Sequence, residues 1–167
     1  MSNSIKDSYI GKINNAQIAI RYHMLRQRFY ELTHKVVAAI SMIFATGAAS
    51  VILDASMKDY ASWFAFIVVV AQVFDFVFDT RGQSIAHNDL RRDYLALLTD
   101  LNGTLENCTY DDLVYAKQQI SALEQQEPPI RKYLLHLCHN DVVTMTGANN
   151  KHKVNVKWFN RAFCQLR

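Results

Sequence analysis

Proline is almost missing from this chain. Only two occur in 167 residues, and they stand together at Pro128-Pro129. No residue before them must break a helix. Cysteine is equally thin: Cys108, Cys138 and Cys164 are odd in number and widely spaced. That set reads as reduced thiols on a cytosolic face rather than a disulfide framework. Excess charge is small, at +3, too mild to argue for nucleic acid as a partner. The polar start MSNSIKDSYIGKINN lacks an apolar region with a cleavage site, so no signal peptide is expected. The sequence has no Gly-rich phosphate loop, nucleophile elbow or His-Glu-x-x-His. We therefore expect no enzyme and no cofactor. No internal repeat or low-complexity stretch suggests a solenoid.

The most telling shortage is local. Residues 36–53 contain no charge over 18 positions. A helix of that length reaches ~27 Å, close to the ~30 Å hydrocarbon core of a bilayer. Residues 61–78 match it in length, and only Gln72 and Asp75 are strongly polar. A seven-residue connector joins the two runs. Together they predict a transmembrane hairpin, the first span serving as its own insertion signal. The competing reading, a buried hairpin of a soluble bundle, fits two neighbouring runs of this kind less well.

Orientation follows from Lys and Arg near the spans. Arg21, Arg26, Arg28 and Lys35 precede the first, and Arg81, Arg91 and Arg92 follow the second. The connector holds only Lys58, against Asp54 and Asp59. Positive-inside then places both termini of this multi-pass protein in the cytoplasm. Tyr60, Trp63 and Phe64 would anchor the outer interface, Lys35 and Arg81 the inner one.

The two spans differ. The first carries small residues at Ala38, Ser41, Ala45 and Ala48, spaced 3, 4 and 3, which marks a helix-packing face. The second carries a seam at Ala61, Ala65, Val68, Gln72, Asp75 and Asp79, spaced as a heptad. A charge inside a membrane is costly and points to function. One reading makes Ala65, Val68, Gln72, Asp75 and Asp79 line a water-filled path in a homo-oligomer. The bland reading pairs Asp75 and Asp79 with His34 or Lys35 across the hairpin, or lets them snorkel to the interface.

Outside the spans the helical period persists. Ile13, Ala16 and Ile20, then Leu25, Phe29 and Leu32, predict a helix over 11–35 running into the first span, with residues 1–10 frayed. Arg21, Arg26 and Arg28 read as a solvated face, the alternative being an attraction for anionic lipid headgroups. His87, Leu90, Tyr94, Leu97 and Leu101, extending to Leu105, form the seam of a long helix, continuous with the second span or kinked at Gly82. Its partner should be the helix before the first span. His87 reads as a core histidine. Thr109-x-x-Asp112 predicts a capping box, opening a helix with Leu113, Ala116, Ile120 and Leu123 that ends by Glu127. Pro129 suits the first turn of a last helix bearing Ile130, Leu134, Leu137 and Cys138. His136 and His139 share a face there, but zinc needs more ligands than this spacing supplies, so no metal site is expected. The basic, aromatic tail over 150–167 packs on the bundle or lies on the inner leaflet.

Basic helix, two adjacent spans, long helix, shorter helix, Pro-Pro and last helix: this order resembles the SLATT family. These are two-helix membrane effector domains of prokaryotic anti-phage conflict systems. The local sequence that carries the resemblance is Ala86-His87-x-x-Leu90-x-x-x-Tyr94-x-x-Leu97, Glu127-Pro128-Pro129-Ile130 and Leu137-Cys138-His139-Asn140. It covers residues 10–145. The resemblance implies a pore-forming effector that breaches the inner membrane when an infection sensor or a cyclic-nucleotide signal triggers it. No sensor domain is evident in the sequence, so a separate sensor protein or the cytoplasmic helices would take that role. The expected fold is all-α. A single SLATT-like domain over 1–167 has a transmembrane hairpin (36–53 and 61–78) extending into a cytoplasmic helical bundle (11–35 and 83–145). The alternative function is a non-conducting anchor or scaffold that recruits a cytosolic partner.

Overall fold

The computed structural model describes residues 2–53, 58–147 and 152–157. Among them the protein is all-α. Helix α1 spans Ser2–Leu53, α2 Lys58–Phe78, α3 Thr80–Thr104, α4 Tyr110–Glu124 and α5 Lys132–Met145, with a short 3-10 turn at Leu105–Asn107. Two helical stretches, Ser4–Ala49 and Tyr60–Asn107, are long and apolar enough to cross a membrane by length and composition. In their most apolar windows only 11% and 0% of the residues are buried.

The chain divides into two compact units: Met1–Arg26 with His87–Arg167, and Gln27–Ala86. We refer to them as the bundle and the hairpin. The bundle core is built from the seams read in the sequence. Ile13 and Ala16 of α1 pack with Tyr94, Leu97 and Leu101 of α3 and with Ala116 and Ile120 of α4. A second cluster joins Tyr22 of α1 to Leu134 and Cys138 of α5.

Several boundaries differ from the expectation, each for a local reason. α1 starts at Ser2, not near Gly11. Tyr9 is buried, and its hydroxyl donates to the Leu101 carbonyl and lies 3.2 Å from Thr104 Oγ1, which ties down the first turns. The break between α2 and α3 falls at Asp79, not at Gly82. Asp79 adopts φ 41, the left-handed region that breaks a helix. Its Oδ1 then accepts from the Gly82 N–H at 3.1 Å, as a helix cap does. A Cβ at Gly82 would displace the Asp79 carboxylate from this cap. α5 starts at Lys132, three residues beyond Pro129. The Arg131 N–H donates to the Tyr22 hydroxyl at 3.0 Å and holds the segment after Pro128-Pro129 extended until that point.

The capping box forms as read. Asp112 N–H donates to Thr109 Oγ1 and Thr109 N–H donates to Asp112 Oδ2. Arg26 departs from the solvated face expected of it and is 4% exposed in the bundle. The connector residues 54–57, most of the 150–167 tail and Cys164 lie outside the described residues.

Candidate functional site: a polar seam and a buried histidine pair

In the hairpin, α2 turns one side toward α1 and leaves the rest uncovered. Phe64 meets Phe44 with ring centroids 5.6 Å apart. Gly47 allows this approach, since a Cβ there would sit 3.3 Å from the Phe64 ring. Further along, Gln72 Nε2 donates to Ser41 Oγ at 2.8 Å. Next comes Asp75, whose carboxylate lies 3.1 Å from His34 Nδ1 and accepts from the Thr80 hydroxyl. Two of the three polar seam residues are thus bonded to α1 of the same chain. The third, Asp79, caps α3. Gln72, Asp75 and Asp79 still line one hollow of about 360 Å³, together with Thr80 and Arg81.

The other singled-out residues fall as follows. Val68 is half-buried and Ala65 exposed. Ser41 is buried and Ala48 half-buried, whereas Ala38 and Ala45 are exposed. The contact face inside the hairpin therefore runs through Val37, Ser41, Phe44 and Gly47 rather than along the whole small-residue stripe. Tyr60 and Trp63 are exposed near the start of α2. Arg81 is exposed, and Lys35 pairs with Glu31 of its own helix at 2.6 Å instead of reaching Asp75.

The bundle holds a second polar constellation. His23 of α1 and His87 of α3 are buried, with their Nδ1 atoms 2.8 Å apart. His23 Nε2 lies 3.2 Å from Glu127 Oε1, and the Tyr94 hydroxyl donates to that same oxygen at 2.7 Å. The carboxylate accepts only, so Tyr94 O–H and His23 Nε2–H both donate to Glu127. The Nδ1 atoms of His23 and His87 share one proton between them. Burial, then the neighbouring His23 and Arg26, push the His87 imidazole down to about 4. Burial works to raise the Glu127 carboxyl, but the bonds from His23 and Tyr94 outweigh it and hold the group below its ordinary value. Burial and the Glu127 bond raise the Tyr94 phenol. The group is a proton-organised clasp joining α1, α3 and the loop before α5.

Sequence reasoning named His87 and Tyr94 here and missed His23 and Glu127. For His23 a signal existed. Ile13, Ala16 and Ile20 step by three and four, and the next step on that stripe is His23. For Glu127 none existed, because it sits in an irregular loop that only the fold brings to the histidines. Among the described residues no group of three His, Cys, Asp or Glu side chains could hold a metal ion. The comparisons with family models, curated proteins and solved structures find no match to this chain.

Proposed function

We propose that this chain is an oligomeric, pore-forming membrane effector of the SLATT type, permeabilising the bacterial inner membrane in anti-phage defence. The observation that carries the reading is the polar seam on a helix whose other faces are bare and apolar. Phe76 is 87% exposed, Val77 68% and Trp63 67%. Apolar surface on that scale calls for lipid or for other copies of the chain. Lys and Arg at the inner ends of the spans put both termini in the cytoplasm.

Two spans are too few to enclose a path, so conduction requires several copies. The exposed Ala38 and Ala45 leave α1 a small-residue face for a neighbour. In the resting protomer Gln72 and Asp75 are held by Ser41 and His34. Opening exchanges these bonds for water along an axis lined by Gln72, Asp75 and Asp79, whose acidic groups favour cations. The trigger is a separate sensor protein or a cyclic-nucleotide signal that biases the bundle.

Purified protein in dye-loaded liposomes tests this. The expected result is leakage by wild type and about tenfold slower leakage by Asp75→Ala at equal insertion. No leakage by an oligomeric wild type under any trigger ends the pore reading. A second reading has its own support. Because Gln72 and Asp75 already have partners in their own chain, the hairpin is complete as a plain anchor. In that case liposomes stay tight while the bundle retains a cytosolic partner.

A further inference from the structure

The bundle contains a cleft that none of the steps above uses. It has a volume of about 470 Å³, within the range of small-molecule sites, roughly 300–1,000 Å³. Ile18, Ile120 and Leu135 give it apolar walls, Tyr22 and Tyr94 bring two aromatic rings, and Glu124 and Glu127 bring two carboxylates. Among the described residues no Lys or Arg lines it. One edge is the backbone at Val154. Asn140 clasps that backbone with both amide atoms, Nδ2 donating to the Val154 carbonyl at 2.7 Å and Oδ1 accepting from its N–H at 2.8 Å.

Glu127 is the unusual member. Its side chain is only 7% exposed. Both of its side-chain hydrogen bonds end on Oε1. Among the described residues Oε2 has no hydrogen-bond partner, and unlike a fully buried atom it keeps accessible surface, which leaves it open to a ligand. An ammonium group satisfies that oxygen without disturbing the bonds on Oε1. The tyrosine rings beside it favour the same charge. A phosphorylated ligand does the opposite, adding negative charge beside Glu124 and Glu127 in a cleft whose basic lining among the described residues is the imidazoles of His136 and His139, with no Lys or Arg.

We propose that this cleft is a binding site for an organic cation, a ligand with an apolar body against the isoleucine and tyrosine wall and an ammonium group on Glu127 Oε2. The hydrogen bonds that hold the Glu127 carboxyl low keep it ionised at neutral pH, as such a site requires. The proposal goes beyond the pore reading and does not depend on it, since binding is measured without any leakage.

The test is calorimetric titration of the full chain in nanodiscs, with empty nanodiscs subtracted. The probes are phenethylamine, its neutral isostere phenethyl alcohol, and cyclic AMP. The amine is expected to bind at least about tenfold more tightly than the alcohol, and cyclic AMP more weakly than either. Glu127→Gln removes the preference for the amine and leaves the alcohol within about twofold. Glu124→Gln weakens the amine about two- to threefold. Ala19→Phe, on the cleft wall, weakens both small probes. Equal binding of amine and alcohol, no binding of the amine, or tighter binding of cyclic AMP overturns the proposal. So does amine binding unchanged in a folded Glu127→Gln. If that variant fails to fold, unchanged amine binding in both Glu124→Gln and Ala19→Phe overturns it instead.

Discussion

The bundle and the hairpin solve the same problem, polar groups on a helix face, in opposite ways. In the bundle the polar groups are linked into one chain, and apolar residues close around it. His23 and His87 are 0% and 1% exposed, and Tyr94 is 1%. In the hairpin they are handled pairwise, Ser41 with Gln72 and His34 with Asp75, and the apolar residues face outward. The bundle closes apolar residues into a core. The hairpin turns them outward on helices long and apolar enough to cross a membrane. In water the burial of Leu101 is favourable, whereas in lipid the same residue gains little by burial and small side chains and hydrogen bonds matter more.

The sharpest test of that contrast is a pair of truncations. Leu101→Ala in the bundle, where Leu101 is 1% exposed, should cost about 2–5 kcal/mol. Phe66→Ala in the hairpin, where Phe66 is 59% exposed, should change the stability of the protein in detergent by no more than about 0.5 kcal/mol. Denaturant titration followed by circular dichroism reads both. If Phe66→Ala costs as much as Leu101→Ala, the exposed face is covered by protein and the contrast collapses.

A smaller effect separates the two units by pH. Unfolded His87 takes a proton near 6.5, while the native ring refuses it until about 4. The unfolded chain therefore binds more protons in that window, so stability is complete above 6.5 and declines as pH falls toward 4. Between pH 7 and 5 the loss should reach about 2 kcal/mol. Glu127, held low, adds a loss of the same sign at the acidic end. Hydrogen exchange at bundle amides should report the decline, and His87→Gln should flatten it. A bundle indifferent to pH between 7 and 5 would break the assignment of a neutral buried ring.

The smallest effect belongs to the hairpin. A double-mutant cycle of Ser41→Ala and Gln72→Leu should give a coupling of about 0.6 kcal/mol, the usual worth of an interhelical hydrogen bond in lipid. A coupling near zero in nanodiscs would mean that Gln72 spends its time elsewhere, as a residue facing an axis does.

Much of the bundle was legible because its stripes are long and regular. His87, Leu90, Tyr94, Leu97 and Leu101 repeat without a gap, and all five are buried. Thr109 and Asp112 supply a local capping signal that needs no tertiary context. The hairpin was legible as two apolar runs but not in its phase. The seam pointed Ala65 toward a path between copies and did not reveal that α2 meets α1 through Phe64, where Gly47 opens a space that an aromatic ring fills. Arg26 and His23 were hidden for another reason. Polar side chains become core members only when a distant partner satisfies them, and periodicity carries no information about that partner. Asp79 was read as a possible ring residue. Nothing in a short polar side chain distinguishes that role from a cap.

The histidine clasp has one more consequence. His87, His23, Glu127 and Tyr94 complete one another's hydrogen bonds, so a change at any one strands a buried polar atom on its neighbour. Such a set cannot drift one position at a time without passing through a less stable protein. Positions 23, 87, 94 and 127 should therefore be inherited as a unit. Relatives of this chain are expected to keep all four residues, or to have exchanged the group together for apolar ones.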